Sequence, residues 1–273
     1  MFERRETRGT VGSALSVLWL IYHNTVRSVR KTHGNAIAAV MINILQMALM
    51  VAIFYVMFSL FGLRKMAIRG DFLLYIMSGI FMFMAHIRAM SAVVGSEGPA
   101  SPMMQHMPMS TAVSIASEAL GALYIQILSM GVILGVYHVG WGPLEIYDPI
   151  GAMAMLLMSW FSGASIGMVF LALKPWAPDF VGLVTKIFMR ANMFASGKMF
   201  LANTLPATML PMFTWNPLFH TIDQARGFMF INYNPHFSSL TYPLYVSLAC
   251  LLIGLMGEFY TRKHASLSWS ARR

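Results

Sequence analysis

Four charged residues, Lys186, Arg190, Asp223 and Arg226, lie close to or inside stretches that otherwise read as lipid-embedded. A charge at membrane depth costs several kcal/mol unless it faces a partner or a wet cavity, so it marks either a path or a joint. Asp179, Lys186, Arg190, Met193 and Gly197 follow one another at helical spacing and share one helix face. At about 1.5 Å per residue Lys186 falls ~10 Å into that helix, too deep for simple surface solvation. A basic stripe there would attract phosphate or acidic groups if it lined a path. As a structural feature it would pair with a carboxylate on another span, for which Glu118 is the best candidate. Asp223 and Arg226, at i and i+3, can pair on one helix face. Their expected role is to hold the outer mouth, with His220 as a hydrogen-bonding spacer.

The elements that must position these residues are set by composition. Of 273 residues 58% are hydrophobic and 11% charged, and the mean hydropathy is +0.64. A soluble domain carries roughly 25% charged residues, so lipid is the main solvent here. The single cysteine, Cys250, excludes an internal disulfide or a cysteine metal cluster. The net charge of +9 does not point to nucleic acid, because the basic residues gather beside apolar segments and at both ends. Arg4, Arg5, Arg8, Arg27, Arg30 and Lys31 precede the first apolar run, and Arg262, Lys263, Arg272 and Arg273 follow the last. The positive-inside rule then places both termini in the cytoplasm and requires an even number of spans. Arg64, Lys65 and Arg69 violate it mildly in the first outer loop. No short apolar leader with a cleavage site is expected.

These patterns predict an all-α membrane protein in three parts: an amino-terminal cytoplasmic segment (1–34), a transmembrane domain (35–262) and a basic tail (263–273). Leu15, Leu18, Trp19, Tyr22, Val26 and Val29 form an apolar stripe beside a basic one, as in a helix lying in the membrane interface. Six spans are expected at about 35–61, 72–93, 111–137, 150–173, 180–197 and 242–260. Between the fifth and the sixth lie Pro206, Pro211, Pro217 and Pro235 among many aromatics. Irregular backbone at membrane depth needs shelter by protein or a wet cavity. Residues 197–226 therefore read as a re-entrant pair of short helices at the outer face, turning at Asn216-Pro217.

No Walker A sequence occurs, so ATP chemistry would sit on another chain. The eight histidines are scattered and form no metal motif. Gly163-Ala164-Ser165-Ile166-Gly167 matches the nucleophile-elbow pattern but sits mid-span, where small residues let helices approach closely. The inner segment with Pro102, Met103, Met104, His106, Met107 and Pro108 is apolar and proline-bounded. It suits either a groove on a soluble partner or the bilayer surface.

Asn216-Pro217-Leu218-Phe219-His220-Thr221-Ile222-Asp223-Gln224-Ala225-Arg226 resembles the N-P-L-x-H-x-I-(E/D)-x-x-R segment of ABC-2 type permeases that export polysaccharides. Ser196-Gly197-Lys198-Met199-Phe200 and Leu205-Pro206 resemble that family's S-G-x-x-F and L-P elements. With the six-span plan the likeness covers nearly the whole chain. Residues 30–35 depart from the family in lacking a following Trp or Pro, which leaves the substrate subclass open. The resemblance implies a bacterial inner-membrane exporter of capsular, O-antigen-like or lipid-linked glycan, built from two copies of this chain and two ATP-binding cassette subunits. It assigns Met103, Met107 and their neighbours to the ATPase contact, with ATP and magnesium on the partner and no cofactor here. Candidates for the substrate path are Lys186, Arg190, Trp160, Phe188, Trp215 and Phe219, the aromatics offering flat faces to sugar rings. The alternatives are an ABC-2 permease for a drug or small lipid, and a membrane-embedded glycan enzyme or assembly scaffold.

Overall fold

The computed structural model describes residues 10–31, 36–62, 70–96 and 110–264. The Met-rich segment from Pro102 to Pro108, the basic residues Arg64, Lys65 and Arg69, and the ends 1–9 and 265–273 lie outside the described residues. Within them the secondary structure is entirely helical. The α-helices are α1 (Thr10–Lys31), α2 (Ala36–Leu60), α3 (Phe72–Gly95), α4 (Thr111–Gly140), α5 (Pro149–Leu173), α6 (Pro178–Ala195), α7 (Pro217–Met229) and α8 (Thr241–His264). Two single 3₁₀ turns, Ala202–Thr204 and Leu210–Met212, lie between α6 and α7.

Five helices, α2, α3, α4, α5 and α8, are long and apolar enough to cross a membrane. They coincide with five of the expected spans to within a few residues, because hydropathy alone sets their length. The expected fifth span corresponds to α6, whose 18 residues include Asp179, Lys186 and Arg190. Those charges keep it out of the long apolar set.

α3 is the hub of the bundle and packs on α2, α4, α5 and α7. α5 carries α8 on its other side. The contacts are close where side chains are small. A Cβ on Gly163 would sit 2.1 Å from the His86 carbonyl of α3, and one on Gly254 of α8 would sit 2.6 Å from Met168 Cβ. Ser165 is buried and donates back to the Phe161 carbonyl at 2.8 Å. The Gly-x-Ser-x-Gly match is thus placed as helix-packing surface, where small residues replace the missing hydrophobic force between helices in lipid.

α1 lies against α4. Ser28 donates to Glu118 at 2.5 Å and Ser117 to the Ile21 carbonyl at 3.2 Å. Leu15, Leu18, Trp19 and Tyr22 remain exposed on α1, a solvent-incompatible stripe that suits lipid. One end of the bundle, here the α2–α3 end, gathers the 141–148 connection and the end of α7, since Tyr137 donates to Asp71 at 2.5 Å and the Asp148 amide to the Phe228 carbonyl at 2.8 Å. At the opposite end Lys174 Nζ donates to the Val94 carbonyl at 2.9 Å and Trp176 Nε1 to Thr261 at 3.0 Å.

Candidate functional site

The polar chemistry concentrates where the chain between α6 and α8 folds back into the bundle. α6 ends at Ala195 with Ser196 as its C-cap, and Gly197 follows at φ +74°, a conformation that favours glycine. A side chain there would also strike the Phe219 ring, 2.7 Å from an added Cβ. Asn216 begins α7: its side chain accepts from the Leu218 amide at 3.0 Å, and Pro217 takes the first helical position. The Asn-Pro pair therefore starts a helix. Its other amide atom ties α7 to α6, donating to Asn192 Oδ1 at 2.7 Å and the Ala195 carbonyl at 3.1 Å. On the α6 side of Asn216 stand the two 3₁₀ turns, in place of the first of two expected short helices. Pro206 and Pro211 interrupt the backbone donors there, so no longer helix forms.

Arg226 is fully buried. Its Nη1 donates to the Gly197 carbonyl at 2.9 Å and the Phe200 carbonyl at 2.6 Å, and its Nη2 to the Lys198 carbonyl at 2.6 Å. The guanidinium lies over the Tyr75 ring, 4.2 Å from its centroid. Gly79 of α3 makes room for it, since a Cβ there would come within 2.9 Å of both Nη2 and the Lys198 carbonyl. Gly79 is seven residues into α3, about 10 Å from the α2–α3 end at ~1.5 Å per residue. One cation thus satisfies the carbonyls of an irregular backbone at depth, where an unpaired carbonyl would be costly.

Asp223 is buried beside it but takes other partners. It accepts from the Tyr233 hydroxyl, from Ser238 Oγ at 2.7 Å and from the Ala202 amide at 3.4 Å. The i, i+3 spacing puts Asp223 and Arg226 on the same side of α7, yet each secures a different piece of the fold. His220 accepts the Ser239 amide on Nδ1 at 3.0 Å, so its Nε2 carries the proton given to the Thr214 carbonyl at 2.7 Å. Burial lowers its pKa and keeps it neutral. It joins α7 to the chain on both sides.

Lys198 was missed by the sequence reading as a site in its own right. It is 4% exposed, its Nζ has no hydrogen-bond partner among the described residues, and burial lowers the amine to about 7. Nζ lies 3.5 Å from the centroid of Phe83 and 5.1 Å from that of Phe54. Nothing in its local sequence distinguishes it from a surface lysine beside a glycine.

The expected path residues are not brought to one wall. Lys186 and Arg190 are exposed on α6, in line with Phe180, Leu183, Ile187 and Phe194. α6 lies lightly on α5, partly through Phe188 edge-on to Phe170 at 5.7 Å. Glu118, the expected carboxylate partner of Lys186, is taken up by Ser28 on α1. Trp160 is half-buried inside the bundle and donates to the Ala119 carbonyl at 2.8 Å. Phe219 is buried against Phe200 and Phe213, whereas Trp215 is exposed and its carbonyl accepts from Tyr242 at 2.8 Å. Among the described residues no group of three or more His, Cys, Asp or Glu side chains is arranged to hold a metal.

No protein-family model matches this chain. No match is found among curated proteins either.

Proposed function

We propose that this chain is the membrane subunit of an ATP-driven exporter that moves a polysaccharide or lipid-linked glycan across a bacterial inner membrane. It would act as a pair of copies, with ATP and magnesium bound by separate subunits. In this reading α6 completes six spans, residues 197–226 form the outer re-entrant segment, α1 lies in the cytoplasmic interface, and both termini are cytoplasmic. The segment with Met103 and Met107 would seat on the ATP-binding subunit.

The observation that carries the reading is the division of the charges. Arg226, Asp223 and His220 of the permease-like segment are consumed by backbone and hydroxyl partners. Lys186 and Arg190 stay exposed on a helix that the bundle barely covers. Two uncovered cations on an otherwise apolar ridge are unfavourable against lipid, so this face requires either a second chain or an aqueous path. A paired permease supplies both, and the basic ridge would then meet a phosphate-bearing or acidic glycan.

The test is gentle solubilisation followed by reconstitution with whatever ATP-binding chain co-purifies. ATP-dependent movement of polymer into inverted vesicles is expected, and Met103→Asp with Met107→Asp should abolish it. Absence of any co-purifying ATPase, together with intact export in the double variant, overturns the proposal.

A further inference from the structure

α3 is covered on most sides, and the stripe it leaves open carries a charge. Past its first turn the positions that are not buried begin with Met84, Ile87, Arg88 and Ser91, whose spacing puts them on one helix face. α2 and α6 both reach this stripe. Arg88 donates from Nη2 to Gln46 Oε1 of α2, and Ser91, one turn further, donates to the Met189 sulfur of α6 at 3.3 Å. Arg190 follows Met189 about 100° further round α6 and is exposed. A second guanidinium therefore stands at the level of Ser91, with Lys186 one turn before it on the same face.

Arg88 has donors to spare where it lies. It is seven residues before Gly95, the last residue of α3, which puts it about 10 Å from that end at ~1.5 Å per residue. Its bond to Gln46 uses one arm of the guanidinium, and its Nε is buried with no hydrogen-bond partner among the described residues. Such an arginine at membrane depth is costly until an acceptor reaches it. The carboxylates among the described residues are placed elsewhere. Asp71, Glu145 and Asp148 lie toward the α2–α3 end, away from Arg88, while Glu118 and Asp223 accept from Ser28 and Tyr233. Glu258 is on α8, which packs on α5 and α7. Asp179 opens α6 two turns before Lys186, ~10 Å away along the helix.

We propose that the Arg88 stripe binds the head-group phosphate of an anionic membrane lipid, entering sideways from the bilayer between α2 and α6. The fork of Arg88 accepts a phosphate with two parallel hydrogen bonds, and Arg190 closes on it from α6. The walls commit the site to a lipid and not to a bare anion. Leu45 and Leu49 flank Gln46 on α2, and Leu183 and Ile187 flank Lys186 on α6, all four exposed and able to lie along acyl chains. The site shares Lys186 and Arg190 with the proposed export path but needs neither an ATPase nor polymer, so lipid retention tests it apart from that reading.

The experiment is native mass spectrometry of the full chain, stripped of lipid and then offered phosphatidylglycerol or phosphatidylcholine of matched chain length. Retention of the glycerol lipid about fivefold over the choline lipid is expected, equivalent to about 1 kcal/mol. Arg88→Gln with Arg190→Gln should abolish that preference, and Arg190→Gln alone, at an exposed position, should weaken it without touching the fold. Arg262→Gln with Lys263→Gln should leave it intact, which separates a site from the general attraction of basic chain ends for anionic lipid. Glu97→Gln, outside the described residues, should not change it, and excess inorganic phosphate should not displace the lipid. Equal retention of the two lipids by the wild type overturns the inference, as does a preference that survives the double arginine variant. A preference lost with Arg262 and Lys263, one raised by Glu97→Gln, or displacement by inorganic phosphate overturns it equally.

Discussion

Arg226 and Arg190 are the same residue type, both placed in an apolar chain, and the fold treats them in opposite ways. Arg226 is wholly buried, with three carbonyls around its guanidinium and a tyrosine ring beneath it. Arg190 stands exposed one turn beyond Lys186 on a helix with little cover. The contrast shows what decides the role of a charge in a membrane bundle. Irregular backbone between α6 and α7 creates acceptors that only a forked, permanently charged donor can satisfy together. A regular helix such as α6 satisfies its own backbone, so its charges are left for something outside it.

The sharpest way to break the comparison is at the buried end. Arg226→Met should destabilise the protein by about 3–5 kcal/mol, because several buried carbonyls lose their donor at once. Arg226→Lys should recover little of it, since an ammonium is a point charge that cannot reproduce the fork. Thermal unfolding in a mild detergent reads both. A loss below about 1 kcal/mol in the methionine variant would show that Arg226 is as dispensable as a surface residue.

Lys198 tests whether burial alone makes a charge structural. Its carbonyl serves Arg226, but its amine has no hydrogen-bond partner among the described residues. The folded pKa of about 7 lies below the ordinary 10.5, so between those values the unfolded chain binds more protons and stability rises with pH. Lys198→Met should flatten that rise and raise stability at neutral pH by about 1–3 kcal/mol, the cost of an unsatisfied buried group. Melting temperatures measured from pH 7 to pH 10 give the result. An equal slope in wild type and variant would place the titration elsewhere.

The smallest expected change is at the exposed end. Lys186→Gln with Arg190→Gln should alter stability by less than about 0.5 kcal/mol, as for surface substitutions in general. The same double variant should lose polymer export under the proposed function while assembling normally. Failed assembly with the folded monomer intact would instead assign the pair to the contact between copies.

Much of the helix plan was readable from the residues themselves. Apolar runs of more than 20 residues have few alternatives to a span, so α2, α3, α4, α5 and α8 fall where hydropathy puts them. The stripe on α1 was legible for the same periodic reason. The Asn216-Pro217 signal was recognised as a boundary, but its chemistry is an N-cap followed by proline at the first helical position rather than a turn between two helices. His220, Asp223 and Arg226 were legible as polar residues of one segment, but their partners were not. The spacing of Asp223 and Arg226 suggested a mutual pair, yet carbonyls from residues 197–200 lie closer in space than any helix-surface rule can anticipate. Lys198 gave no signal at all.

The amino-acid sequence by itself determined which segments are helical, which of them are apolar enough for a bilayer, and which residues are charged within them. Those properties follow from local composition and from the period of a single helix. Only the tertiary structure decided that Arg226 is a backbone anchor, that Glu118 belongs to α1, that Lys198 is enclosed by Phe54 and Phe83, and that Lys186 and Arg190 are left uncovered. A charge in an apolar bundle takes its role from the donors and acceptors that distant segments bring within about 3 Å, and no local pattern encodes that distance.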